Sequence, residues 1–432
     1  MKLVIANMLI FTALCANAQS WSLEQCVDSA YKNNIKIEVA KNNQEISQLK
    51  HKEVRSYLLP KLSLNGEYKY FVELPYQLLP LSVFGGPEGQ FKETQFGVQH
   101  NINANLVLQA PVYSSTLNGN IQKVKLAKEI VEIEVAKSYD QVYFEVSKIY
   151  RNAQLIASQV NYIDSSIVNM KRVQLNIERL VSEKLANQSD VSKVELKIST
   201  LELNKSRLKT KLKQLYNALE LLTATDLEIT VESEILMMDI QPYVSNGDKE
   251  LEVIQLQERM LTIDLKTLKR SRFLPELGFV ATYGTQGYGF DQDPNRFLNF
   301  YPVGYAGIKL SQPLFNGTVT NKQIHQKELE IENLKLKEEL IEDSKNLEIQ
   351  NAILELENAF SNVELNDQQV ELAQLIYTQE ESKLHEGLIS INDLLFAQNE
   401  LLQNQQNYLM SVAQFLAADL HLKYITNNIS NK

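Results

Sequence analysis

Leu58-Leu59-Pro60-Lys61-Leu62-Ser63-Leu64-Asn65-Gly66-Glu67-Tyr68 returns, about half a chain later, as Phe273-Leu274-Pro275-Glu276-Leu277-Gly278-Phe279-Val280-Ala281-Thr282-Tyr283. Each copy joins a helical run to an alternating strand behind the same proline. A second matched pair, Leu108-Gln109-Ala110-Pro111-Val112-Tyr113 and Leu310-Ser311-Gln312-Pro313-Leu314-Phe315, ends each strand pair and opens a long helical stretch. Pro60, Pro111, Pro275 and Pro313 therefore mark the helix-strand junctions. The expected fold is mostly α with a β part, built as two tandem helix-strand-strand-helix-helix repeats.

Strands are expected at about 61–73 and 94–110 in the first half and at about 276–289 and 299–312 in the second. Leu62, Leu64, Tyr68 and Tyr70 share one face of the first strand, and Phe96, Val98, Ile102, Leu106 and Leu108 one face of the next. Opposite them stand Asn65 and Glu67, then Gln99, Asn101, Asn103 and Asn105. An amide ladder behind a smooth apolar face suits a barrel strand with lipid outside and water within. A soluble antiparallel sheet gives the same period. Length separates the two, because twelve or more residues at about 3.3 Å each cross a hydrocarbon layer, whereas globular strands average about 5–6 residues. The aromatic residues Tyr68, Tyr70, Phe71, Tyr288, Phe290, Phe300 and Tyr301 read as interfacial girdles.

His100 and Pro302 fall on the apolar faces and resist this reading; either the register slips there or they lie against a neighbouring subunit. Four strands cannot close, and an open edge is not viable in lipid. Several chains must share one barrel: two copies would give eight strands, the smallest such barrel, and three would make twelve.

Long helices are expected at about 117–185 and 317–386. In the first, Val142, Val146, Ile149, Ala153, Ile156, Val160, Ile163, Ile167 and Met170 alternate by four and three, a coiled-coil seam. In the second, Leu340, Leu347 and Leu354 recur by seven. Each long helix ends in a short turn before a returning helix. Asn187 and Ser390 stand where an N-cap belongs, with Asp190 and Asp393 three residues on; capping explains both aspartates, and a pore role is the alternative. Ser22 and Gln25 form a similar box at the first helix.

Residues 1–18 read as a signal peptide: Lys2, an apolar run, then Ala16-Asn17-Ala18. Acylation at Cys15 is disfavoured by Leu14 before it. Cys26, the only cysteine left, reads as a small core residue. The repeats occupy 19–224 and 249–424, joined by a linker over 225–248 that contains Pro242 and Ser245-Asn246-Gly247, with a tail at 425–432. The chain has 432 residues, a net charge of −10 and 44% hydrophobic content, which argues for a large ordered protein and against nucleic acid.

Taken in order, the signal segment, the Ser22-Leu23-Glu24-Gln25-Cys26-Val27 opening, the duplicated Leu-Pro-x-Leu motifs and the Gly387-Leu388-Ile389-Ser390-Ile391-Asn392-Asp393-Leu394-Leu395 turn resemble the TolC-like outer-membrane efflux proteins. The resemblance implies a homotrimer with four strands per chain in a twelve-stranded barrel in outer-membrane lipid and the helices forming a periplasmic tunnel. It implies a passive conduit for small molecules or polypeptides, fed through a periplasmic adaptor by an inner-membrane pump of the RND, ABC or MFS class. By position, Lys184-Leu185 and Gly387-Leu388 would touch the adaptor, and Asp393, with Asp190 as its counterpart, would ring the periplasmic constriction. The family's second acidic position holds Phe396 here, and a latch arginine is replaced by Ile389. Lys184 stands where the family has glycine, so a left-handed turn residue is not expected there.

An enzyme is not expected: the five histidines are scattered and no metal or phosphate-loop motif is present, so no cofactor follows. The rival is a periplasmic coiled-coil adaptor or structural protein that never enters the membrane.

Overall fold

The computed structural model describes residues 20–225, 229–232 and 247–429. The expected signal peptide, Cys15 and most of the linker lie outside them. The first repeat runs β1 (Ser20–Trp21), α1 (Leu23–Asn33), α2 (Ile35–Ser56), β2 (Lys61–Tyr70), β3 (Tyr76–Pro80), β4 (Phe91–Gln95), β5 (His100–Tyr113), α3 (Ser115–Ser182) and α4 (Gln188–Thr223). After β6 (Thr230–Val231), the second runs α5 (Lys249–Ser271), β7 (Glu276–Phe290), β8 (Phe297–Ser311), α6 (Val319–His385) and α7 (Ile391–Ile425). At about 1.5 Å per residue, α3 and α6 are each roughly 100 Å long. Among the described residues no helix is long and apolar enough to cross a membrane.

The chain divides into two compact units. One holds Glu45–Val131 and Ile254–Lys337, with an antiparallel sheet in the order β2-β5-β7-β8. Its register follows the polarity of the sequence. Leu62, Leu64 and Tyr68 stand opposite Leu108, Leu106 and Ile102, while Asn65 and Glu67 stand opposite Asn105 and Asn103. β5 continues the pattern into β7, where Leu106 meets Tyr283 and Asn103 meets Gln286. One face is thus apolar across all four strands, and it is open: Leu64 is 73% exposed and Ile308 75%. β2 and β8 form the two edges.

Several expectations are corrected here. Phe96, Val98 and Gln99 are outside the barrel-type strand, because Gly97 takes φ 123° and breaks the chain between β4 and β5. The preceding segment instead forms a separate hairpin, β3 with β4. Pro111 lies within β5, at a register shift between Pro111 and Tyr113, so the junction with α3 falls later. Tyr288, Phe290 and Tyr301 lie on the polar face, opposite in side to Tyr68 and Phe300, so the aromatic residues do not form girdles on one surface. The register does not slip at His100 or Pro302. His100 opens β5 opposite Tyr70, bonded to Tyr68 Oη (2.8 Å) and Asp291 Oδ2 (2.7 Å). Pro302 pairs with Thr285 in β8, which is an edge of the sheet within one chain.

The other unit holds residues up to Gln44, Glu132–Val253 and from Glu338 on. Its helices pack the expected seam: Val142, Val146, Ala153, Ile163 and Met170 are buried. Cys26 is buried in a cluster with Val142, Val146, Leu219 and Ile229, and burial pushes its thiol up to about 12. The Ser22–Gln25 capping box forms with both bonds. β1 pairs in parallel with β6, so part of the expected linker is a strand whose Val231 enters that cluster. Leu340, Leu347 and Leu354 are not core. They are exposed, and Ala352, Leu356, Ala359 and Val363 form the buried side of α6 instead.

Candidate functional site

The two helix-helix turns are built alike. After α3, Leu185 N–H donates to Leu180 O (2.8 Å) and Lys184 N–H to Val181 O (3.0 Å). After α6, Leu388 N–H donates to Lys383 O (2.9 Å) and Gly387 N–H to Leu384 O (3.0 Å). This paired pattern ends a helix through one left-handed residue. Gly387 supplies it with φ 73°, and Lys184 does so too, with φ 65°. The expectation that lysine would avoid that conformation is corrected: the two returning bonds fix the backbone, whatever the side chain. Leu185 and Leu388 follow and are exposed, 71% and 69%.

The returning helices start with capping boxes. Asn187 N–H donates to Asp190 Oδ2 (3.4 Å), and Ser390 donates to Asp393 Oδ2 through its N–H (3.0 Å) and its hydroxyl (2.7 Å). Those bonds, the hydroxyl first, hold the Asp393 carboxyl below the ordinary carboxylate range. The aspartates differ in what comes next. Lys193 reaches Asp190 Oδ1 at 3.0 Å, whereas the position three beyond Asp393 is Phe396, exposed. Asp190 thus has a lysine partner, and among the described residues Asp393 has none.

Both turns close one hydrophobic cluster drawn from α3, α4, α6 and α7, including Met170, Val194, Tyr377 and Leu394, with Leu180, Val181 and Leu384 packed on it. Burial raises the Tyr377 hydroxyl well above its usual range. Beside the turns lies a groove of about 380 Å³ lined by Arg172, Asn176, Arg179, Glu381, His385 and Glu386. The sequence reading missed these residues; their signal was a charged run in the last turns of both long helices. No group of side chains that could hold a metal is present among the described residues.

Residues 260–428 match the family model described as outer membrane efflux protein. No curated protein matches the sequence. Among solved structures, the outer membrane protein VceC of Vibrio cholerae is similar at 15% identity, over 94% of this chain and 95% of that one, with a TM-score of 0.74. The Campylobacter jejuni CmeC outer membrane channel is similar at 13% identity, over 94% and 85%, with a TM-score of 0.72. The Neisseria gonorrhoeae MtrE outer membrane channel in its open state is similar at 14% identity, over 94% and 88%, with a TM-score of 0.71. At such identities the likeness speaks for the fold, which is that of TolC-like outer-membrane channels. The match to the outer membrane efflux protein family lies in residues 260–428, and the chain as a whole shares the fold of the outer-membrane channels above.

Proposed function

We propose that three copies of the chain close a twelve-stranded barrel in the outer membrane and continue it as a helical tunnel in the periplasm. One observation carries this: the four-stranded sheet has an exposed apolar face and two unpaired edges, β2 and β8. In lipid each unpaired amide costs several kcal/mol, so neighbouring copies must pair β8 of one with β2 of the next. Two helices agree. α6 exposes Leu336, Leu340, Leu347 and Leu354, and α2 exposes Ile35, Val39, Ile46 and Leu49 at helical spacing. A coiled-coil protein that stays in the periplasm has no use for such a sheet.

On this reading Leu62, Leu64, Tyr68, Ile102, Leu106 and Leu108 face lipid, and Asn65, Glu67, Asn101, Asn103 and Asn105 face the lumen. The tips at Lys184-Leu185 and Gly387-Leu388 offer two exposed leucines and the adjoining charged groove to a periplasmic adaptor, which couples the conduit to an inner-membrane RND, ABC or MFS pump. Small molecules or polypeptides pass outward. Asp393, unpaired by any lysine, supplies the charge at the periplasmic mouth, and Asp190 contributes little.

The test is migration and conductance. An unheated sample is expected to run as a trimer in detergent and to carry current in a planar bilayer, with Asp393→Ala changing conductance or ion preference. A water-soluble monomer would overturn the assembly, and an unchanged current would reduce Asp393 to its cap.

A further inference from the structure

The junction between α5 and β7 departs from the acidic character of the chain. Lys266-Thr267-Leu268-Lys269-Arg270-Ser271-Arg272 carries four cations and no acid in a protein of net charge −10. The same stretch of the first repeat, His51-Lys52-Glu53-Val54-Arg55-Ser56-Tyr57, contains Glu53, which binds Lys50 at 2.9 Å and accepts from Tyr57 Oη at 3.0 Å. That stretch therefore carries two cations and one acid. In the second repeat Leu268 takes the place of the acid. Lys269 pairs with Glu328 at 2.9 Å and Arg272 donates to Asn321 Oδ1 at 3.0 Å, but among the described residues no carboxylate pairs with Lys266 or Arg270.

These cations rim a groove of about 470 Å³ whose floor is Leu265, Phe273 and Leu274. Phe273 is 75% exposed, and β7 begins only three residues later. An exposed aromatic ring next to the first residue of a membrane strand lies at the height where aromatic side chains meet the membrane-water interface. The occupant must combine an apolar tail with an anionic head, placed at the membrane boundary. Free phosphate would leave the floor uncovered, and a zwitterionic lipid would bring its own cation against Lys266 and Arg270.

We propose that this groove seats a phospholipid of the periplasmic leaflet with a net negative headgroup, its phosphate between Lys266 and Arg270 and its upper acyl chain on Phe273 and Leu274. In this arrangement the lysine and arginine stems would cover the apolar floor and their heads would meet the phosphate, as is usual at a membrane surface. The first repeat has Glu53 where Leu268 stands and His51 where Lys266 stands, so the cation pair that would hold the phosphate is not repeated there.

The test uses the full-length channel in bilayers with Trp21, its only tryptophan, replaced by Phe and a reporter introduced as Phe273→Trp. Brominated phosphatidylglycerol diluted in plain phosphatidylcholine, and the reverse labelling, report by quenching which lipid touches position 273. The expected result is strong quenching with a roughly tenfold preference for phosphatidylglycerol, which falls with added salt and disappears in Lys266→Gln/Arg270→Gln. Leu64→Trp on the same background serves as the control: it is expected to be quenched equally by both lipids. Quenching at 64 without quenching at 273 would overturn the groove while leaving the membrane barrel intact. A preference below about twofold, or one retained by the double variant, would equally overturn it. Unheated gels verify that each variant assembles as the parent does.

Discussion

Lys184 and Gly387 occupy the same place in the two repeats and share one backbone conformation, φ 65° and 73°, although only one of them is a glycine. The helix ends are therefore specified by their hydrogen bonds rather than by the residue at the turn. A side chain in the left-handed region costs about 1 kcal/mol or more relative to glycine. Lys184→Gly is expected to raise resistance to thermal unfolding by an amount of that order, and Gly387→Lys to lower it similarly. Nothing lies within 4 Å of a Cβ at Gly387, so the second change tests backbone strain alone. Melting followed by helical circular dichroism distinguishes the outcomes; equal melting for both variants and the parent would mean that these turns carry no strain.

Ser390 and Asp393 give a pH signature. A carboxyl held below its ordinary value by donors of the folded state stabilises that state at pH above about 4, and the contribution fades as the pH falls further. Asp393→Asn is accordingly expected to melt below the parent at pH 7, with the gap closing under about pH 4 as the parent protonates. Ser390→Ala removes the hydroxyl donor, so the carboxylate is expected to contribute less at pH 7 and to lose the remainder by a higher pH than in the parent. A gap that is constant from pH 7 to pH 3 would contradict the capping role.

Leu347 and Leu354 lie two turns apart on the exposed side of α6, away from the buried stripe of Ala352, Leu356 and Ala359. Replacement of both by Glu leaves the chain's own core untouched and places charge where a second copy is proposed to pack. The expected outcome is loss of the unheated trimer band with helical content retained. A trimer of normal stability would assign those leucines to the solvent side of the tunnel.

Much of the architecture was legible because the two periods are strong. Strict alternation put Leu62 and Leu64 on one face and Asn65 and Glu67 on the other, a division that the register with β5 keeps, and the four-three spacing from Val142 to Met170 found the seam. The failures have local causes. The alternation of Phe96 and Val98 continued on paper through Gly97, whose positive φ ends the strand in fact. Leu340, Leu347 and Leu354 recur by seven on a face that the single chain leaves exposed, and the small Ala352 and Ala359 hid the buried one. The difference between Asp190 and Asp393 rests on Lys193 against Phe396, a contact three residues away that periodicity does not weigh.

Gly284 offers the sharpest test of the sheet. It stands opposite Asn105 on the polar face, and a Cβ built there would meet Ala104 O and Asn105 Oδ1 far inside van der Waals contact and Asn105 Cα at 2.7 Å. Two of these are backbone atoms of the neighbouring strand, which cannot swing aside as a flexible side chain could. β5 and β7 sit in the middle of the sheet, so any displacement reaches both edges and the pairing between copies. Gly284→Val is expected to cost about 1–3 kcal/mol through overpacking and to reduce the heat-modifiable, membrane-inserted species. Gly307→Val, at a glycine with nothing within 4 Å of its Cβ, is the matched control and is expected to insert normally. Equal insertion of the two variants, read from unheated gels of membrane fractions, would show that β5 and β7 pair at a different register from the one described.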